Sequence, residues 1–224
     1  MVDGAGAFLG RICLPAAEEF GQLLRDRIKY WRAVNASKIA AMAEARLRAL
    51  NAGKSVQAHP RLVGAIIEQG SWTDDEEVQQ MWAGLLASSC TQSGTDEENL
   101  LFINYLQQLN STQAKVLNHA CNAAPKKVQE NGLIWADDLF CSAAKVRELT
   151  GVEDIQRLDR ELDHLRVLGL IEGGIQLHAS LTAEGAIELT PTPLALHMYV
   201  RCQGSRESPV AFFALSNPSP GQAL

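Results

Sequence analysis

Apolar residues recur every three or four positions along most of the chain, a period that predicts a succession of helices. The clearest stretch is SWTDDEEVQQMWAGLLASSC, residues 71–90. Val78, Met81, Trp82, Leu85 and Leu86 form one stripe with a large aromatic, which assigns Trp82 and Leu85 to the core. Thr73 with Glu76 three residues later makes a capping box, and the acidic run 74–77 suits the positive end of the helix dipole. Upstream, Pro15 suits the first position of a long helix that runs to about residue 50. Phe20, Leu24, Ile28, Trp31, Ile39 and Met42 are assigned to its inward face, with Trp31 a core anchor. Arg25, Lys29, Arg32 and Arg48 lie outside that stripe. His59-Pro60 opens a shorter helix with Leu62, Val63, Ile66 and Ile67 inward and Gly70 as its C-cap; His59 is expected to cap it or face solvent. Thr95 and Glu98 form a second capping box. The helix behind it, with Leu100, Leu101, Ile103, Tyr105 and Leu106, is apolar nearly all round and expected to be well buried.

The pattern changes after Leu109. Asn110 caps a helix carrying Ala114, Leu117 and Cys121, and Pro125 with the polar run that follows predicts a loop. A second helix is expected over 137–149, broken by Thr150-Gly151. A third over about 153–168 places Ile155, Leu158, Leu162 and Leu165 on one side. Short strand-like runs follow at 170–171, 175–181 and 186–189, with turns at Gly173-Gly174 and Glu184-Gly185. Thr192-Pro193 starts a last helix that Gly204 closes. Three helices and then a hairpin is the element order of a winged helix. The predicted fold is therefore mainly α: an N-terminal helical unit followed by a C-terminal winged-helix-like α+β module. The boundaries are a flexible leader over 1–14, a helical domain over 15–109, a winged-helix-like domain over 110–204, and a loosely ordered tail over 205–224 anchored by Phe212 and Phe213.

Composition narrows function more than fold. The 224 residues are 46% hydrophobic and 21% charged, as expected of a soluble globular chain with one domain or two small ones. A net charge of -6 disfavours generic nucleic-acid binding. Residues 1–52 carry 8 basic against 5 acidic side chains, and residues 53–109 carry 2 against 8, so the two segments are expected to pack together. The basic face of the first long helix, with Arg25, Lys29 and Arg32, is a solvated surface or the site of an anionic partner, an acidic protein before a nucleic acid or membrane. Across 152–168 five carboxylates face three arginines, net -2, and such a recognition helix would repel phosphate. That module is therefore expected to bind protein or serve structure; Arg157 and Arg160 would carry the DNA-binding alternative.

The five cysteines are odd in number and lack a CxxC, which argues against a disulfide framework or zinc site and for a reducing cytoplasm. No apolar run reaches the roughly 18 residues of a membrane helix, and no signal-peptide layout opens the chain. The five histidines lack metal-ligand spacing, and the glycines at 4, 6 and 10 lack the context of a phosphate loop. A Cys–His nucleophile pairing has no flanking signature. No catalytic residue, metal, cofactor or small-molecule substrate is assigned.

Several segments together resemble the Abi-alpha family, bacterial proteins associated by name with abortive infection by phage. They are LPAAEEFGQLLRDRIKYWR (14–32), HPRLVGAIIEQGSWTDDEEVQQMWAGLLASS (59–89), LFINYLQQLNSTQAKVLNH (101–119), LRVLGLIEGG (165–174) and LTAEGAIELTPTPLALHMYVRCQG (181–204). Two positions depart from the family pattern. A step usually written LSPxxA is here Leu109, Asn110, Ser111, Thr112, Gln113, Ala114, without the proline. A Gly expected soon after Thr190-Pro191 is replaced by Thr192-Pro193. The resemblance implies a cytoplasmic prokaryotic protein with an antiphage role, and it carries over no catalytic residues. The expected function is a non-enzymatic interaction or sensor protein in antiphage defence, acting through a protein partner or self-association. The alternatives are a winged-helix DNA-binding regulator and a toxin-like effector that reaches the membrane through its basic first helix.

Overall fold

Helices dominate, because most of the chain keeps the helical period and few segments alternate. The structure, a computed structural model, describes residues 2–12, 27–50, 56–175 and 186–214. Among them are ten helices and four three-residue strands. The chain divides into two compact units, Met1–Gln108 with Arg201–Arg206, and Leu109–Val200 with Glu207–Leu224.

In the first unit, α1 (Val2–Ile12) and α2 (Arg27–Ala49) precede α3 (Pro60–Gly70), α4 (Glu76–Ser88) and α5 (Leu100–Leu106). α2 packs against α1, α3 and α4. The stripe of α4 is inside as its spacing predicts, with Trp82 2% and Leu85 0% exposed. Its start differs from the expected capping box. Asp75 is the N-cap, its Oδ1 accepting from the Glu77 and Val78 amides at 3.1 Å. Thr73 Oγ1 instead accepts from the Asp75 amide in the preceding turn. Aspartate caps at least as well as threonine, so the helix begins two residues later.

Residues 2–12 form a helix where a flexible leader was expected. Its glycines lower intrinsic propensity, but tertiary packing overrides propensity. Phe8 is buried, and Arg11 pairs with Glu44 on α2 at 3.1 Å. The inward face of α2 also differs. Ala33, Ala36, Ile39, Ala40, Ala43 and Leu47 are buried, whereas Ile28 is 63% and Trp31 38% exposed. Trp31 is therefore not a core anchor. The small side chains let neighbouring backbones approach closely, and the bulkier Ile28 and Trp31 are left outside. Pro15, Phe20, Leu24 and Arg25 lie outside the described residues.

α3 follows its pattern, with His59 as N-cap accepting from the Arg61 amide through Nδ1. Gly70 ends it beneath Ile39 and Trp82, where a Cβ would stand 2.9 Å from each, and the C-cap is Ser71. α5 starts at Leu100 with Asn99 as its N-cap and no side-chain cap, so the expected Thr95–Glu98 box does not form; Asp96 Oδ1 instead accepts from the Glu98 amide in the turn before it. It buries Phe102, Ile103 and Leu106 but leaves Leu101 half exposed, so it is one-faced rather than wholly buried. The segment 201–206 completes the unit. Arg201 holds both oxygens of Glu98 at 2.9 Å, and Arg46 donates to the Cys202 carbonyl at 3.2 Å and to the Gln80 carbonyl at 2.6 Å. Gly84 permits this contact, since a Cβ there would stand 1.6 Å from the Cys202 oxygen.

In the second unit, α6 (Ser111–Ala123) has a complete capping box despite the missing proline. Asn110 Oδ1 accepts from the Gln113 amide, and Gln113 Oε1 accepts from the Asn110 amide. The polar segment expected as a loop is a hairpin. β1 (Lys126–Val128) pairs antiparallel with β2 (Ile134–Ala136), and Gly132 turns it at φ 82°. The helix expected from residue 137 begins only at α7 (Ala143–Thr150), capped by Ser142, because β3 (Phe140–Ser142) occupies its expected start. β3 pairs antiparallel with β4 (Ala186–Glu188), Cys141 lying opposite Ile187. α8 (Ile155–Val167) is capped by Asp154 and turns Leu158, Leu162 and Leu165 inward. Of the runs expected as strands, only 186–188 is one among the described residues; Ile171 and Pro191, and Ile175 and Ile187, form isolated antiparallel bridges, and residues 176–185 lie outside the described residues.

Thr192 Oγ1 accepts from the Ala195 amide and donates to the Gly169 carbonyl, setting the start of α9 (Pro193–Cys202). The tail is built further than expected. α10 (Pro209–Phe212) has Ser208 as its cap, Phe213 stacks on Tyr199 at 6.1 Å, and Phe212 meets that ring edge-on. Residues 215–224 lie outside the described residues.

Candidate functional site

The outward side of α8 is set by the residues that turn inward. Once Leu158, Leu162 and Leu165 pack, Arg157, Arg160, Asp163, Arg166 and Val167 must face solvent, with Asp159 partly exposed. Arg166 pairs with Asp163 at 2.6 Å. Beside this face the turn at Gly173-Gly174 and β4 close a cleft of about 270 Å³, lined by Asp159, Asp163, Arg166, Glu172, Ile175 and Glu188. Four carboxylates against one guanidinium make it acidic. Gly173 is required there, because a Cβ would stand 2.3 Å from the Glu188 side chain.

Glu161 does not belong to that face. It is 8% exposed, and its Oε2 accepts from Asn110 Nδ2 at 2.7 Å and Gln113 Nε2 at 2.9 Å. Gln113 Nε2 also lies 2.9 Å from His164 Nδ1, and Arg157 Nε stands 3.8 Å from Glu161 Oε1. A buried carboxylate needs donors of this kind to offset lost hydration. The network ties the α6 cap to the middle of α8.

The residues expected to bind an anionic partner are dispersed. Arg32 is 8% exposed and committed: Nε donates to Ser71 Oγ at 2.9 Å, and Nη2 donates to the Glu68 carbonyl and pairs with Glu68 Oε2 at 2.7 Å. Its guanidinium lies 4.3 Å from the Trp72 ring centre. Asn35 and Gln79 extend this network through the Ser71 and Thr73 carbonyls. Arg32 is thus a buried clamp, consistent with the expected pairing of the basic and acidic segments. Lys29 is half-buried, Arg25 lies outside the described residues, and Arg157 and Arg160 are exposed on α8.

A protein-family model described as abortive infection alpha matches residues 33–196. The chain belongs to the abortive infection alpha family. The Abi-alpha match begins within α2 and ends within α9, so it takes in Trp82, the Glu161 network and the acidic cleft. No curated protein and no solved structure matches the chain. Among the described residues, no helix is long and apolar enough to cross a membrane, and no group of three His, Cys, Asp or Glu side chains is arranged to hold a metal ion.

Two features of this Abi-alpha chain escaped sequence reasoning. Glu172 follows α8 closely and Glu188 lies well beyond it, and the turn at Gly173-Gly174 and β4 bring both beside Asp159 and Asp163. His119 and Cys141 also meet, Nε2 to Sγ at 3.7 Å, although no motif links them. Burial pushes the Cys90 and Cys121 thiols up to about 12; it also raises Cys141, with Lys145 pulling the other way.

Proposed function

We propose that this protein acts in abortive infection as a non-enzymatic, cytoplasmic sensor or scaffold. It binds a protein partner through α8 and the adjoining cleft. Membership of the abortive infection alpha family supports the defence role. The order α6, β1, β2, β3, α7, α8, β4, with β3 paired to β4 and Ile175 bridging Ile187, supports reading the second unit as winged-helix-like, with a β1–β2 hairpin inserted after its first helix. The observation that carries the choice of partner is the acidic cleft beside α8. A helix that reads DNA must sit among phosphates, and these carboxylates repel them. They fit a basic protein segment instead.

The test is capture of partners from phage-infected cells by the full chain. Wild type is expected to retain a specific protein, and the Asp159→Asn, Asp163→Asn, Glu172→Gln variant is expected to lose both the partner and phage protection. Equal capture and protection by that variant would remove the reading. The DNA-binding alternative draws its support from the exposed Arg157 and Arg160. The membrane-effector alternative is weakened by the burial of Arg32.

A further inference from the structure

His119 on α6 and Cys141 on β3 are brought together by the second unit's packing. α6 buries Leu117, Ala120 and Cys121, which leaves His119 half-buried at the border of that face. Pairing with β4 fixes Cys141 opposite Ile187, and its Sγ stands 3.7 Å from His119 Nε2. The Cys141 side chain is half-buried, whereas Cys90, Cys121 and Cys202 are buried. A small reagent can therefore reach one of these four thiols in the folded protein, and at that thiol an imidazole is in contact. Lys145, in the first turn of the next helix, adds positive charge nearby. Burial has the larger effect and holds the resting group as a neutral thiol. Reaction then requires a base at the moment of attack rather than a standing thiolate.

We propose that Cys141 is a site of oxidation by small peroxides, with His119 as the base that takes its proton. The sulfur attacks one peroxide oxygen as Nε2 accepts the S–H proton. An S–O bond forms and the O–O bond breaks. The departing hydroxide takes the proton back from the imidazole and leaves as water. The sulfur loses two electrons to the peroxide and becomes a sulfenic acid. The added oxygen occupies the space between sulfur and ring.

Full-length protein is treated with hydrogen peroxide and dimedone, and the adducts are mapped by peptide mass spectrometry. Cys141 is expected to be trapped about tenfold or more faster than Cys90, Cys121 and Cys202, with His119→Gln slowing trapping by about tenfold or more. Cys141→Ser is expected to abolish that adduct. Equal trapping at the four positions overturns the proposal. So does absence of a Cys141 adduct where N-acetylcysteine reacts, or an unchanged rate in folded His119→Gln. If circular dichroism shows that this variant does not fold, His119→Asn takes its place: slowed Cys141 trapping in that folded variant supports the pair, and an unchanged rate overturns it.

Discussion

Arg32 shows how a charged residue can be misassigned from its position in a pattern. On a helical wheel it lies beside the apolar stripe and looks solvated. In the fold its guanidinium satisfies Ser71 and Glu68 and covers Trp72. Arg32→Ala is expected to cost about 1–3 kcal/mol in urea unfolding, because buried partners are left without a donor. A loss below a few tenths would show the clamp to be dispensable. Trp31, one residue away, was assigned to the core and is substantially exposed. The two lie about 100° apart around the helix, and the period alone leaves open which of them turns inward.

The buried thiols give a second expectation at this scale. Cys90 and Cys121 are raised from an ordinary 9.0 to about 12, chiefly by loss of hydration. A raised folded-state value stabilises fully below the unfolded thiol's value and is lost as pH climbs toward the folded one. Their contribution is therefore expected to decline from about pH 9 toward 12. Urea titrations of Cys90→Ala, Cys121→Ala against wild type across that range isolate it from other titrating groups. The variant is expected to lose less stability over the window, and equal losses would contradict the assignment.

Among the elements, the start of α6 is the most informative. Its capping box was legible as Asn110, although the reciprocal partner Gln113 and the link to Glu161 were not. Asparagine and aspartate cap helices about equally well, so local rules allow Asn110→Asp. Here Asn110 Nδ2 donates to Glu161 Oε2, and a second carboxylate would face the first in a buried site. Asn110→Asp is expected to destabilise by at least about 1 kcal/mol at neutral pH and to recover in part as acid protonates the pair. A neutral outcome in thermal or urea unfolding would show that the Glu161 contact contributes nothing. The hairpin β1–β2 illustrates the opposite case. Three-residue strands carry too few alternations to signal themselves, and Lys126 and Lys127 made the segment look like a loop.

For the whole molecule, the distribution of charge decides the expected partner. With Glu161 withdrawn inside, α8 itself presents three arginines against Asp159 and Asp163, and it is the cleft, through Glu172 and Glu188, that is acidic. The full chain is expected to show no salt-dependent binding to duplex DNA even at about 50 mM salt, where phosphate attraction is strong. Binding lost in Arg157→Ala, Arg160→Ala would instead support the DNA-binding alternative.

The sequence by itself determined the mainly helical class, the buried stripe of α4 with Trp82 and Leu85, most of the later helix limits, and the family resemblance. These follow from spacing and cap chemistry within a few turns of chain. Tertiary structure alone decided which face of α2 turns inward, that residues 2–12 are helical, that β3 pairs with β4, and that Glu172 and Glu188 join α8. Each of these depends on which distant surface fills the space beside a residue, and local periodicity carries no record of that neighbour.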